Sequence, residues 1–152
     1  MRQFSRTPAA IVLLATVLTG TAYVWNSRAG VQADSGPALA DLEQAISRPD
    51  ATTDTWLRYA QRLQQAGRFD HAVMAYARVL ENDPYRRVAN LQCAAALARL
   101  GDADRLHEFV NRLTQLDPRL ALDVFGRPEL QPYLADNRFL QIYKLAVAQS
   151  MD

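Results

Sequence analysis

Cysteine is all but missing from this chain. Cys93 stands alone, so no intrachain disulfide and no cysteine metal cluster can form. It falls on the apolar face of a helical run and reads as a buried, inert thiol. Histidine occurs only at His71 and His107, each near the start of a predicted helix and solvated there, a poor setting for a ligand or a general base. There is no glycine-rich phosphate loop, no serine-nucleophile motif and no metal-ligand spacing. Acidic residues are scattered singly. Asp70 and Asp104 each stand just inside a helix start, where a carboxylate complements the helix dipole. An enzyme is therefore not expected, and neither a cofactor nor a metal is called for.

Lysine is missing too, apart from Lys144; the other basic residues are arginines. With the many alanines, this points to the coding bias of a GC-rich bacterial genome. No acidic residue precedes Asp34. Residues 1–33 carry Arg2, Arg6 and Arg28, a net +3, while residues 34–152 carry 14 basic and 16 acidic side chains, a net −2. Without a basic surplus that domain is not expected to bind nucleic acid.

Charge is absent altogether from residues 8–25, PAAIVLLATVLTGTAYVW. As a helix these would span about 27 Å, close to a bilayer core. Tyr23 and Trp25 lie at the far end, where aromatic rings favour the interface, and Arg2 and Arg6 outweigh Arg28, which keeps the N-terminus in the cytoplasm. The predicted layout is a basic cytoplasmic stretch 1–7, a transmembrane anchor 8–25, a flexible linker 26–37 rich in small and polar residues, and a periplasmic domain 38–152, the whole sitting in a bacterial inner membrane as a single-pass protein. Ala15, Thr19 and Ala22 would share one face of the anchor and suit close pairing with another helix. A cleaved signal peptide is the alternative, cut after Ala22 or after Ala33.

What the chain does have is a unit written twice over residues 53–118. A shift of 34 residues lays Leu57 on Leu91, Ala60 on Ala94, Leu63 on Leu97 and Gly67 on Gly101. It also lays Asp70 on Asp104, Arg78 on Arg112, Asp83 on Asp117 and Pro84 on Pro118. Ordinary residue frequencies would give roughly two identities over such a window; eight mark a solenoid-type repeat. Within the first unit, Trp56, Tyr59, Ala60 and Leu63 recur at helical spacing. Gly67 stops that helix, because glycine readily takes the left-handed conformation. Phe69, Ala72, Val73, Tyr76, Val79 and Leu80 make a second apolar face, ended by Asp83-Pro84. Small Ala60 and Ala72 sit where the two helices would cross, and Trp56 is expected to be core, filling the junction with a packing helix over residues 38–47.

Trp56, Tyr59, Ala60, Leu63, Gly67, Phe69, Ala72, Tyr76 and Pro84 fall on the signature positions of the tetratricopeptide repeat, which residues 53–86 resemble closely. The copy at 87–120 keeps Ala94, Leu97, Gly101, Leu113 and Pro118. It has Cys93, Ala103, Leu106 and Val110 in place of Tyr59, Phe69, Ala72 and Tyr76. The resemblance implies an all-α fold, a short helix-turn-helix solenoid behind an N-terminal transmembrane helix, with residues 121–152 as a C-terminal cap. It also implies a groove for a protein partner, lined by the first helix of each repeat. Carried over position by position, that groove takes Asp54, Leu57, Gln61, Gln64 and Gln65 from the first repeat and Val88, Leu91, Ala95, Ala98 and Arg99 from the second. Leu57 and Leu91 would form one apolar strip. Some family members hold a C-terminal carboxylate with a Lys/Asn clamp; here Leu57, Gln61, Leu91 and Ala95 occupy those positions, so that clamp is not carried over.

The layout of anchor, linker and repeats is similar to membrane-anchored tetratricopeptide proteins of bacterial cytochrome c maturation. A non-enzymatic adaptor that binds a periplasmic or membrane-associated protein is thus the first expectation. A structural accessory subunit of a large membrane complex is the second. A secreted enzyme or lectin-like domain is the third, and the missing polar constellation argues against it.

Overall fold

A computed structural model describes residues 38–151. The anchor at 8–25, the linker at 26–37 and both cleavage sites lie outside the described residues. Among the described residues no helix is long and apolar enough to cross a membrane. These residues are all helical, with no β-strand. They form α1 (Leu39–Ile46), α2 (Thr53–Gln65), α3 (Phe69–Asn82), α4 (Arg87–Leu100), α5 (Ala103–Leu116), α6 (Pro118–Phe125), a 3₁₀ helix (Pro128–Ala135) and α7 (Asn137–Ser150).

The helix ends follow local chemistry. Thr52 caps α2 by accepting from the Thr55 N–H at 3.2 Å. Its C-terminus closes with the Arg68 N–H on Leu63 O at 2.8 Å and the Gly67 N–H on Gln64 O at 3.0 Å. That pairing requires a left-handed residue between, and Gly67 supplies it at φ +75°. Gly101 does the same for α4 at φ +72°. A Cβ on Gly67 would meet nothing within 4 Å, so the cost of Gly67→Ala is conformational alone. We expect a loss of about 1–2 kcal/mol, read as a lower denaturation midpoint with an unchanged slope. Asp117 caps α6 through the N–H groups of Arg119 and Leu120, with Pro118 in the first turn. α6 therefore starts directly after Asp117, whereas Pro84 sits in a turn and α4 starts only at Arg87. Asp136 caps α7 by accepting from the Arg138 N–H at 2.9 Å. The Arg138 guanidinium returns to Asp136 at 2.9 Å and reaches Asp104 at 3.0 Å. This binding holds the Asp136 carboxyl below the usual carboxylate range.

The first helical pair packs closely. Ala60 and Ala72 are both fully buried where α2 and α3 cross, and Leu63, Tyr76 and Val79 fill the space around them. α1 lies against α2, with Leu42 buried and Glu43 reaching Tyr59 Oη at 3.4 Å. Trp56 departs from its expected place in the core. It is half-buried at the edge, its ring set against Tyr59 in a T-shaped contact with centroids 6.2 Å apart.

The second pair, α4 and α5, packs far less extensively than the first. The cause can be read from the alignment of the two units. Leu106 and Phe109 stand where Ala72 and Ala75 stand in the first, so large side chains occupy the helix crossing. Both are buried, and the space they open is filled from the C-terminal side. α5 packs on α6 and α7, and α7 places Phe139 between Tyr133 and His107, with centroid distances of 5.2 Å and 5.5 Å. Asn90 takes the place of Trp56 in this unit. It is buried, and its Nδ2 donates to Pro84 O at 2.9 Å and Arg86 O at 3.2 Å, which ties α4 to the turn before it.

Candidate protein-binding groove

α2 and α4 carry the residues expected to face a partner, and the two helices touch along a narrow line. The structure gathers four of the expected residues and separates the rest. Gln61, Gln64 and Gln65 of α2 meet Arg99 of α4 around one open depression of about 550 Å³. Phe69, Tyr76 and Gln92 complete its lining. Among the described residues no acidic side chain lines it.

The remaining expected groove residues lie elsewhere or serve the fold. Asp54 is exposed, but its Oδ1 is held by Arg86 Nη2 at 2.6 Å. Val88 is exposed at the start of α4. Leu57 and Leu91 are half-buried, each packed in part against the core. Ala95 has no accessible surface and cannot touch a partner. It lies on a helix that both α6 and the 3₁₀ helix pack against. The same elements reach the end of α4, where Tyr133 Oη donates to Ala98 O at 3.0 Å and Glu129 approaches Arg99 at 3.9 Å. The cap thus occupies part of the face that a further repeat would leave open.

Inside the depression the side chains form a relay. Tyr76 Oη donates to Gln64 Oε1 at 2.7 Å, and Gln64 Nε2 donates to Gln92 Oε1 at 3.0 Å. Tyr76 is 0 % exposed, and burial pushes its phenol well above the usual tyrosine range. Arg99 stands at the rim, its guanidinium carbon 5.8 Å from the centroid of the Phe69 ring. Gln65 Oε1 accepts from Arg62 Nη1 at 3.3 Å.

Phe69 and Tyr76 were legible as signature core positions, and nothing in the repeat pattern marked them as groove floor as well. Gln92 had a weaker signal: it precedes Arg99 by seven residues, two helical turns along one face of α4.

A second depression of about 540 Å³ opens on the opposite side, between α3 and α5. It follows from the loose second pair. Val73, Leu80, Phe109 and Leu116 form apolar walls, and Cys93 lies at the bottom. Burial pushes the Cys93 thiol up to about 12, against the pull of Arg105 and Arg112. We expect iodoacetamide at pH 8 to alkylate Cys93 at least about 100-fold more slowly in the native protein than in denaturant, because the thiolate is the reacting form; intact-mass measurement over time checks this.

His71 is exposed, and His107 is half-buried with its ring edge on Phe139. Among the described residues no group of three or more His, Cys, Asp or Glu is placed to hold a metal ion. Comparison with protein-family models finds no match, and comparison with curated proteins finds none either.

Proposed function

We propose that this chain is a non-enzymatic adaptor of the tetratricopeptide type, a short solenoid anchored in a bacterial inner membrane by residues 8–25, which holds a protein partner on the periplasmic side. One observation carries the reading. Two neighbouring helices, 34 residues apart in register, place Gln61, Gln64, Gln65 and Arg99 around a single open depression with no side chain of the domain filling it. Side-chain amides and an arginine on a rigid helical wall suit recognition of a polypeptide, whose main chain offers both donors and acceptors. Tethering by the anchor would raise the local concentration of partner at the membrane surface.

A photo-crosslinking amino acid tests it, placed at Gln61 or Gln65 in the cells that make the protein. The expected outcome is one discrete adduct of constant mass from both positions and none from Glu108 on the opposite side. Adducts from Glu108 alone would reject the groove.

The structural-subunit reading has its own support in the apolar depression between α3 and α5. A permanent partner there would cover Leu116, which is exposed, and the half-buried Leu80. The Glu108 position reports on that outcome in the same experiment.

A further inference from the structure

The polarity of the amide relay narrows what the depression can hold. A tyrosine hydroxyl buried with a single partner must direct its proton into that contact, since the proton has no other acceptor. The Gln64 carbonyl therefore faces Tyr76, and its NH₂ faces Gln92. Gln92 in turn spends its carbonyl on Gln64. Its NH₂ is what remains for the depression, with no protein partner among the described residues. At Gln65 the Arg62 contact occupies the carbonyl, which again leaves an NH₂. Arg99, with a side chain 56 % exposed, adds a guanidinium. Among the described residues its only carboxylate neighbour, Glu129, sits 3.9 Å away and is shared with Arg127 at 3.4 Å. Around Gln92 and Arg99 the depression thus offers donors and one positive charge; the Gln61 amide on α2 adds a donor and an acceptor, and among the described residues no acidic group lines it.

From this juxtaposition we infer that the depression is a carboxylate site: it takes the Asp or Glu side chain of an extended partner segment, held between the Gln92 amide and the Arg99 guanidinium. The inference rests on the adaptor reading and names the group that the partner inserts. A side chain, not a chain terminus, fits because the depression is open, and Gln61 and Gln65 extend along α2 to meet main chain on either side of the inserted residue. Tyr76 and Gln64 are positioning residues here. They set which end of the Gln92 amide faces the partner.

The test is a selection of random 12-residue peptides by the full-length chain in detergent micelles. One library joins both peptide ends to a carrier, and a second ends in a free C-terminus. The tightest peptide is then compared with its Glu→Gln counterpart. We expect one acidic position to be enriched in the joined library, and the acidic peptide to bind about tenfold tighter than its neutral isostere. Arg99→Gln and Gln92→Leu should each bring that preference within about twofold. Tyr76→Phe keeps the buried ring but frees the Gln64 and Gln92 amides to turn over. It should lower the Glu-over-Gln preference several-fold, with circular dichroism confirming the fold, a change in selectivity that a merely structural role would not produce. Binders without acidic preference that still crosslink at Gln61 would overturn the carboxylate site and leave the adaptor reading standing. A preference that survives both Arg99→Gln and Gln92→Leu would place the carboxylate elsewhere and overturn it too. So would enrichment confined to the free-C-terminus library. No binder from either library, with no adduct from Gln61 or Gln65, would overturn both.

Discussion

Tyr76→Ala is expected to cost about 3–5 kcal/mol, the range for removing a fully buried aromatic ring. Among the described residues Tyr76 is the largest side chain with no accessible surface, and it lies in the core that α2, α3 and α4 share. Its loss would leave a cavity beside Ala60 and Ala72, where the backbones are already too close to collapse further. Against a usual domain stability of about 5–15 kcal/mol, that would leave the protein marginal at best. Tyr76→Phe should cost only about 0.5–1.5 kcal/mol, because the ring remains and the Gln64 amide that loses its donor is reachable by water. Urea denaturation of the two variants side by side checks both values. Equal losses would mean that the hydroxyl, not the ring, dominates. By contrast Trp56, the expected core residue, is half-buried, and its replacement should cost clearly less than that of Tyr76.

Phe139→Ala is expected to cost a similar amount, about 3–5 kcal/mol, with a different spatial signature. Phe139 is fully buried and packs between His107 of α5 and Tyr133 of the 3₁₀ helix. α7 meets the rest of the domain chiefly through α6, α5 and the 3₁₀ helix. Removing the ring should loosen the cap before the first repeat. Hydrogen exchange should rise first in α7, α6 and the 3₁₀ helix, while α2 and α3 stay protected. Leu145→Ala, on an exposed position of the same helix, is the control and should change stability by less than about 0.5 kcal/mol. Uniform loss of protection would show that the cap and the repeats unfold as one unit. Cap loosening would also widen the groove, because Tyr133 and Glu129 are what the cap sets against α4.

The sequence by itself determined the helices and where they stop. Gly67 and Gly101 needed no neighbour to mark two helix ends, since the left-handed φ they supply is a local requirement. The caps at Asp117 and Asp136 are likewise local, each carboxylate accepting from N–H groups two or three residues on. The 34-residue identity between units foretold that Gln61, Gln64, Gln65 and Arg99 would lie on first helices, and Ala60 and Ala72 predicted one close crossing.

Tertiary structure decided what those helices do to one another. Leu106 and Phe109 read as ordinary apolar positions; only in three dimensions do they hold α5 off α4, open the depression between α3 and α5 and draw α7 into the gap. Ala95 looked like a groove residue because its register matches Gln61, yet it has no accessible surface in a helix packed by the C-terminal cap. Leu57 and Leu91 likewise gave part of their surface to the core. The relay from Tyr76 through Gln64 to Gln92 joins residues 12 and 28 positions apart. Its direction depends on how completely Tyr76 is buried. Periodicity reports which face of a helix is apolar, because that is a property of one helix. Which surface stays open, and which way an amide turns in it, depends on the neighbours that cover the rest, and those come from distant parts of the chain.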